Sequence, residues 1–109
     1  MPKRHEFKPV ETFEDLQYKV EQWAKDKGIL SSLNASKQML KVNEEVGELT
    51  GALLKNDKAG IIDGIGDSLV TLIILSAQLD LDPVDCLQAA WNEIKNRTGK
   101  TRNGVFIKD

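Results

Sequence analysis

Between Lys58 and Leu79 the sequence runs through an apolar stretch of helical length that holds two aspartates, Asp63 and Asp67. At 100° per residue, Asp63, Asp67, Val70, Ile74 and Ala77 fall on one stripe, so both carboxylates extend the most apolar face of the chain. Ile65, Leu69, Leu72 and Ile73 point the other way, which leaves this segment apolar around most of its circumference. A helix of that kind is expected inside protein. Ile65 to Leu79 is shorter than the ~20 residues of a membrane span and is broken by Ser68, Thr71, Ser76 and Gln78, so no membrane partner is expected. A single small bundle has too little surface to cover it, and self-association as a homodimer or homotetramer is the expected remedy.

Helical periodicity recurs on either side. Thr12, with Asp15 three residues on, signals a capped start for a helix carrying Phe13, Leu16, Val20 and Trp23, which Gly28 ends. After a Ser- and Asn-rich loop, Asn34 or Ser36 caps a second helix whose stripe is Met39, Val42, Val46, Leu49 and Leu53. Gly47 and Gly51 in this helix are expected to admit a close neighbour. Asn56-Asp57 marks the turn into the apolar helix. Asp82-Pro83 is a strong start for a fourth helix, lined by Val84, Leu87, Trp91 and Ile94. Both tryptophans therefore lie on stripes expected to pack.

The expected fold is a single all-α domain over residues 1–109, four-helix bundle-like and completed by oligomerisation. A lead-in arm occupies 1–11 and a basic, partly extended tail 99–109. Met1-Pro2-Lys3-Arg4 is basic without a following apolar run, so no signal peptide is expected. A net charge of −2 gives no general pull towards nucleic acid. The lone Cys86 allows no internal disulfide, fits a reducing cytoplasm and is expected as a small buried helix residue.

The second helix carries a further acidic group, Glu44, Glu45 and Glu48, beside its apolar stripe, with Glu45 about 40° from Leu49. Like charges at these spacings cost an isolated helix only ~0.2–0.5 kcal/mol per pair. Burial raises that cost, because an ionised carboxylate removed from water must be paired, protonated or metal-bound. Hard oxygen donors on facing helices suit Mg²⁺ or Mn²⁺ better than zinc. A di-iron carboxylate site would need a Glu-x-x-His motif, and the only histidine, His5, lies in the lead-in arm. The competing reading is a solvated acidic face on a non-catalytic helical interaction module.

Glu44-Glu45-Val46-Gly47-Glu48-Leu49, followed after a short turn by an acidic segment ending in Asp67, resembles the MazG-like family of all-α nucleoside triphosphate pyrophosphohydrolases. The likeness covers roughly residues 13–98. The family's second motif is Glu-x-x-Asp, and here Gly64 stands in place of its glutamate, with Asp63 adjacent. The resemblance implies Mg²⁺-dependent cleavage of a (deoxy)nucleoside triphosphate into monophosphate and pyrophosphate. Glu45, Glu48 and Asp67 would be metal ligands, Asp63 a replacement ligand, and Glu44 a further ligand or a group orienting the attacking water. Related activities on the same fold, dUTPase-like or phosphoribosyl-ATP pyrophosphatase-like, are alternatives. A triphosphate also needs cations. Asn92 and Lys95, in a segment similar to the family's Asn-x-x-Lys, are candidate substrate contacts together with Arg97 and Lys41, the last equally placed to offset Glu45.

Overall fold

Thr12 opens the first helix, α1 (Phe13–Asp26), through a reciprocal capping box: its hydroxyl accepts from the Asp15 amide and the Asp15 carboxylate accepts from its own, each at 3.1 Å. These contacts come from a computed structural model that describes residues 11–109, so the expected arm, with His5, lies outside the described residues apart from Glu11. Gly28, at φ 74°, releases the chain from α1. A 3₁₀ turn, Ser32–Asn34, follows, capped by Ser31, and leads into α2 (Ala35–Leu54). Asn34 stands at the N-cap of α2 but makes no capping bond with its side chain.

Asp57 caps α3 (Lys58–Gln78) by accepting from the Gly60 amide at 3.1 Å. Asp82 does the same for α4 (Pro83–Ile94) with the Val84 amide at 2.8 Å, and Pro83 fills the first turn. The expected extended tail is instead an antiparallel hairpin, β1 (Gly99–Arg102) and β2 (Val105–Lys108). Its two-residue connection is Asn103-Gly104, with φ of 51° and 77°. Positive φ at both positions is what a tight hairpin turn of this kind requires.

The fold is built on the pair α2–α3. Leu49 meets Gly64, Ala52 meets Gly60, and Gln38 reaches Thr71, so the two helices run antiparallel from their shared turn. The closest approach is at Gly64, where an added Cβ would lie 2.9 Å from Leu49 Cβ and 3.0 Å from its Cα. Gly47 and Gly51, expected to admit a neighbour, have nothing within 4 Å of such a carbon. The helix crossing is thus set from the α3 side, and Gly64 also explains why no larger residue stands there.

α1 packs on α3, while α4 makes little contact with it. Buried apolar residues among those described are Ala24, Val42, Ile73 and Ile74, and no large side chain is wholly enclosed. This is a thinner core than a closed four-helix bundle gives, and the Cα radius of gyration, 16.2 Å, exceeds the ~13 Å usual for a chain of this length. The expected stripe of α1 is only partly sheltered: Val20 is half-buried and Ala24, one turn on, is buried, whereas Phe13, Leu16 and Trp23 stay about half exposed. Cys86 is exposed rather than buried. α3 follows the expected Lys58–Leu79 to within a residue, and at 21 residues it matches a membrane span by length and composition alone.

Candidate metal centre and adjoining clefts

On α2, residues three and four apart share a face, and this places Glu44, Glu45 and Glu48 together. One carboxylate oxygen from each lies within 4.8 Å of the others. Their surroundings differ. The Glu45 side chain is only 12% exposed, against 55% for Glu44. Burial pushes the Glu45 carboxyl above its ordinary value, and the negative charges of Glu48 and Asp67 push it further, with Lys41 opposing them.

The expectation that both aspartates are buried is corrected, because Asp63 and Asp67 are open to solvent on the rim of α3. They nevertheless face the glutamates across two adjoining clefts. The first, about 580 Å³, lies between α1, α2 and α3 and takes Glu45 and Asp67 into its wall. The second, about 480 Å³, is lined by Glu48, Asp63 and Asp67 near the α2–α3 turn. Asp67 is therefore common to both, and Glu45, Glu48, Asp63 and Asp67 line these clefts, although only Glu44, Glu45 and Glu48 come within mutual ligand distance.

The acids are not without a cation. Lys41 Nζ lies 3.4 Å from Glu44 Oε1 and 3.7 Å from Glu45 Oε1. Its hydrogen bond and charge interaction with Glu44 hold the ammonium above its ordinary value, with smaller help from Glu45 and Glu48. Lys41 thus offsets Glu45, and it also lines the first cleft beside Lys37. Lys55 lines the second. Asn92, Lys95 and Arg97 line neither cleft within the chain. Asn92 accepts from Gln88 at 3.0 Å and Arg97 is held by Glu93 at 3.1 Å, both along α4.

Two glutamines line the first cleft: Gln38, which precedes the acidic motif and was expected to reach the site, and Gln78, which in the sequence is only a polar break in the apolar run. Gln78, 4% exposed, donates from Nε2 to the Ile29 carbonyl at 2.8 Å, while its Oε1 is buried without a hydrogen-bond partner among the described residues. Gln38 donates to the Thr71 carbonyl at 3.0 Å, tying α2 to α3. A polar residue on an apolar stripe was the available signal for Gln78. An orphaned buried acceptor costs on the order of 1–3 kcal/mol, a large sum to leave unmet in so small a core. Trp23 forms another wall, half exposed, with Lys27 Nζ 6.0 Å from its ring centre.

The chain is similar to a protein of Haemophilus phage HP1 (strain HP1c1) described as an uncharacterized 18.2 kDa protein in the rep-hol intergenic region. The two are 40% identical over 65 residues, which is 60% of this chain and 40% of the phage protein. The chain thus matches less than half the length of that relative. No family model matches the chain, and no solved structure does.

Proposed function

We propose that the chain is a Mg²⁺-dependent nucleoside triphosphate pyrophosphohydrolase on a MazG-type helical fold, with Mn²⁺ able to replace Mg²⁺ and with a second copy completing the bundle. The observation that carries this reading is Glu45, a carboxylate withdrawn from water and crowded by Glu48 and Asp67 at the junction of two clefts. A divalent cation relieves that crowding, and an all-oxygen donor set suits a hard ion. Glu45, Glu48 and Asp67 would hold it, with Asp63 as a further ligand from the second cleft. Bound there, Mg²⁺ would supply charge neutralisation for the triphosphate and Lewis-acid activation of water.

The remaining work falls to side chains of the chain itself. Lys41 and Lys37 place positive charge where phosphate oxygens would lie, and Lys41 is free to trade its Glu44 partner for phosphate. Glu44, at the exposed side of the cluster, is left to orient the attacking water. Water adds at the α-phosphorus, the α–β bridging bond breaks, and nucleoside monophosphate and pyrophosphate leave. Asn92, Lys95 and Arg97 remain substrate contacts in this reading only if a second copy delivers them.

Support for that second copy comes from α3 and α4. Ile62, Ile65, Leu69, Leu72 and Leu79 form a stripe along α3, each 37–50% exposed, on the side away from the clefts. Leu87, Trp91 and Ile94 form another on α4, 47–68% exposed. A bilayer would also cover such a helix, but Asp67, in the middle of α3, would then sit near its centre at a cost of ~2.5–3.5 kcal/mol. Association with itself, in a cytoplasmic setting that keeps the exposed Cys86 reduced, is the reading with the smaller penalty.

The test is a panel of ribo- and deoxynucleoside triphosphates incubated with Mg²⁺, with pyrophosphate and monophosphate quantified apart from inorganic phosphate. Equimolar monophosphate and pyrophosphate are expected, abolished by EDTA. Inorganic phosphate as the primary product would overturn α–β cleavage. Failure of Mg²⁺ or Mn²⁺ to bind by titration calorimetry would leave the acids as a solvated face on an interaction module.

A further inference from the structure

We infer that Lys41 is an exchangeable counter-ion. In the nucleotide-free protein its ammonium neutralises the glutamates, and it moves to the phosphate chain when a nucleotide enters the first cleft. The divalent cation is therefore bound together with phosphate rather than ahead of it. The inference rests on the nucleotide reading above for the kind of ligand, and on the contacts of Lys41 for the exchange.

Lys41 stands one turn before the glutamates on α2, so helical spacing brings its ammonium to them. Nζ lies 3.4 Å from Glu44 Oε1 and 3.7 Å from Glu45 Oε1. Both distances exceed the ~2.7–2.9 Å of a tight ammonium–carboxylate bond, so the ammonium straddles two carboxylates and is fastened to neither. With 51% of the side chain exposed, letting go of them costs little, because exposed pairs are weak. Lys41 also belongs to the wall of the first cleft, which brings an anion entering there within reach of its flexible stem. Lys37 supplies the contrast. It lines the same cleft one turn earlier but makes no ion pair among the described residues.

Competition follows from the shared oxygens. A Mg²⁺ ion held by Glu45 sits ~2.1 Å from a carboxylate oxygen. With the Lys41 ammonium 3.7 Å from Glu45 Oε1, two cations draw on one carboxylate and repel each other. While Lys41 stays, the ion is held weakly. A phosphate chain offers Lys41 more negative charge than Glu44 does, and once the ammonium turns to it the glutamates are open to the ion. Each ligand then raises the affinity for the other by the same factor, as linkage requires.

Two calorimetric titrations of the full chain test the exchange, and neither needs turnover. In the first, Mn²⁺ is added to nucleotide-free wild type, Lys41→Met and Lys37→Met. Lys41→Met is expected to bind Mn²⁺ about fivefold tighter than wild type, the size of one exposed ion pair removed. Lys37→Met takes the same charge from the same cleft without breaking a pair, and should change Mn²⁺ affinity by less than about twofold. In the second, Mg²⁺ complexes of α,β-imido deoxynucleoside triphosphates are added to the same proteins. Lys41→Met is expected to bind them about fivefold more weakly, since a charge-assisted bond to phosphate outweighs the exposed pair it replaces. Opposite signs in the two titrations distinguish exchange from its rivals. A plain phosphate contact shifts only the second, a fixed counter-ion only the first, and a structural role weakens both; any of these results would overturn the inference. So would equal effects of the two lysine variants on Mn²⁺, which would make cleft charge and not pairing the cause. No Mn²⁺ binding by wild type removes the proposed metal centre and this inference with it. Mg²⁺-dependent hydrolysis with both affinities unmoved in Lys41→Met leaves the proposed activity standing and removes this inference alone. Opposite shifts without hydrolysis do the reverse.

Discussion

Glu45 and Gly64 face each other's helices within one turn of the crossing, and each has a measurable consequence. The folded-state pKa of Glu45 is raised above its ordinary value of 4.5, so the native state holds this proton more tightly than the unfolded chain does. The stabilisation is therefore complete in acid and lost as pH rises through the folded value. At pH 7, in EDTA, Glu45→Gln is expected to melt above wild type, with the gap closing towards pH 4.5. The same variant should lose any upward melting shift on adding Mg²⁺, and turnover with it. Gly64→Ala should destabilise. Pressing a methyl group into the Leu49 backbone costs ~1–3 kcal/mol, only partly offset by the ~1 kcal/mol of helix propensity gained. Gly47→Ala, on open surface, should stabilise by about that 1 kcal/mol, and urea melts of the two variants should move in opposite directions. The acidic residues were legible in the sequence because each is defined by its own spacing. The burial of Glu45 follows from its place about 40° from Leu49, whereas the exposure of Asp63 and Asp67 does not follow from the stripe they extend.

Among the elements, the helices followed their caps and periodicity closely, with Thr12, Asp57 and Asp82 each starting a helix as their chemistry dictates. The hairpin escaped because its strands do not alternate: Lys100-Thr101-Arg102 is polar throughout and Val105-Phe106-Ile107 apolar throughout. The remaining signal was Asn103-Gly104, which sets the turn. Gly104→Ala forces an L-residue into the left-handed region at ~1–2 kcal/mol. Amide exchange in 99–108 should accelerate while exchange in α2 and α3 is unchanged. If α2 and α3 loosen as well, the hairpin is part of their packing rather than an appendage. How little of the α1 stripe is covered was also beyond local pattern: Ala24, one turn on from Val20, is buried, while Phe13, Leu16 and Trp23 are left about half exposed.

For the whole molecule, the exposed stripes on α3 and α4 lead to a prediction about mass. Sedimentation equilibrium should give a multiple of the 12.2 kDa chain, and Leu69→Lys, in the middle of the α3 stripe, should shift it towards that single-chain value. A monomeric wild type would remove the second copy from the proposal, and Asn92, Lys95 and Arg97 from the substrate contacts. Sequence pattern foresaw that one chain leaves an apolar side of α3 exposed, because apolarity on all sides is a property of the helix alone. The openness of the remainder, with α4 in little contact with α3, was not foreseen.

So thin an interior has a consequence for the amount of protein present. When the greasy flanks of a chain find shelter mainly against its twin, folding and pairing become a single equilibrium, and the melting point climbs with concentration. Dilution would then act as a denaturant. A cell making only a few copies would hold a larger share of them unfolded than one making many.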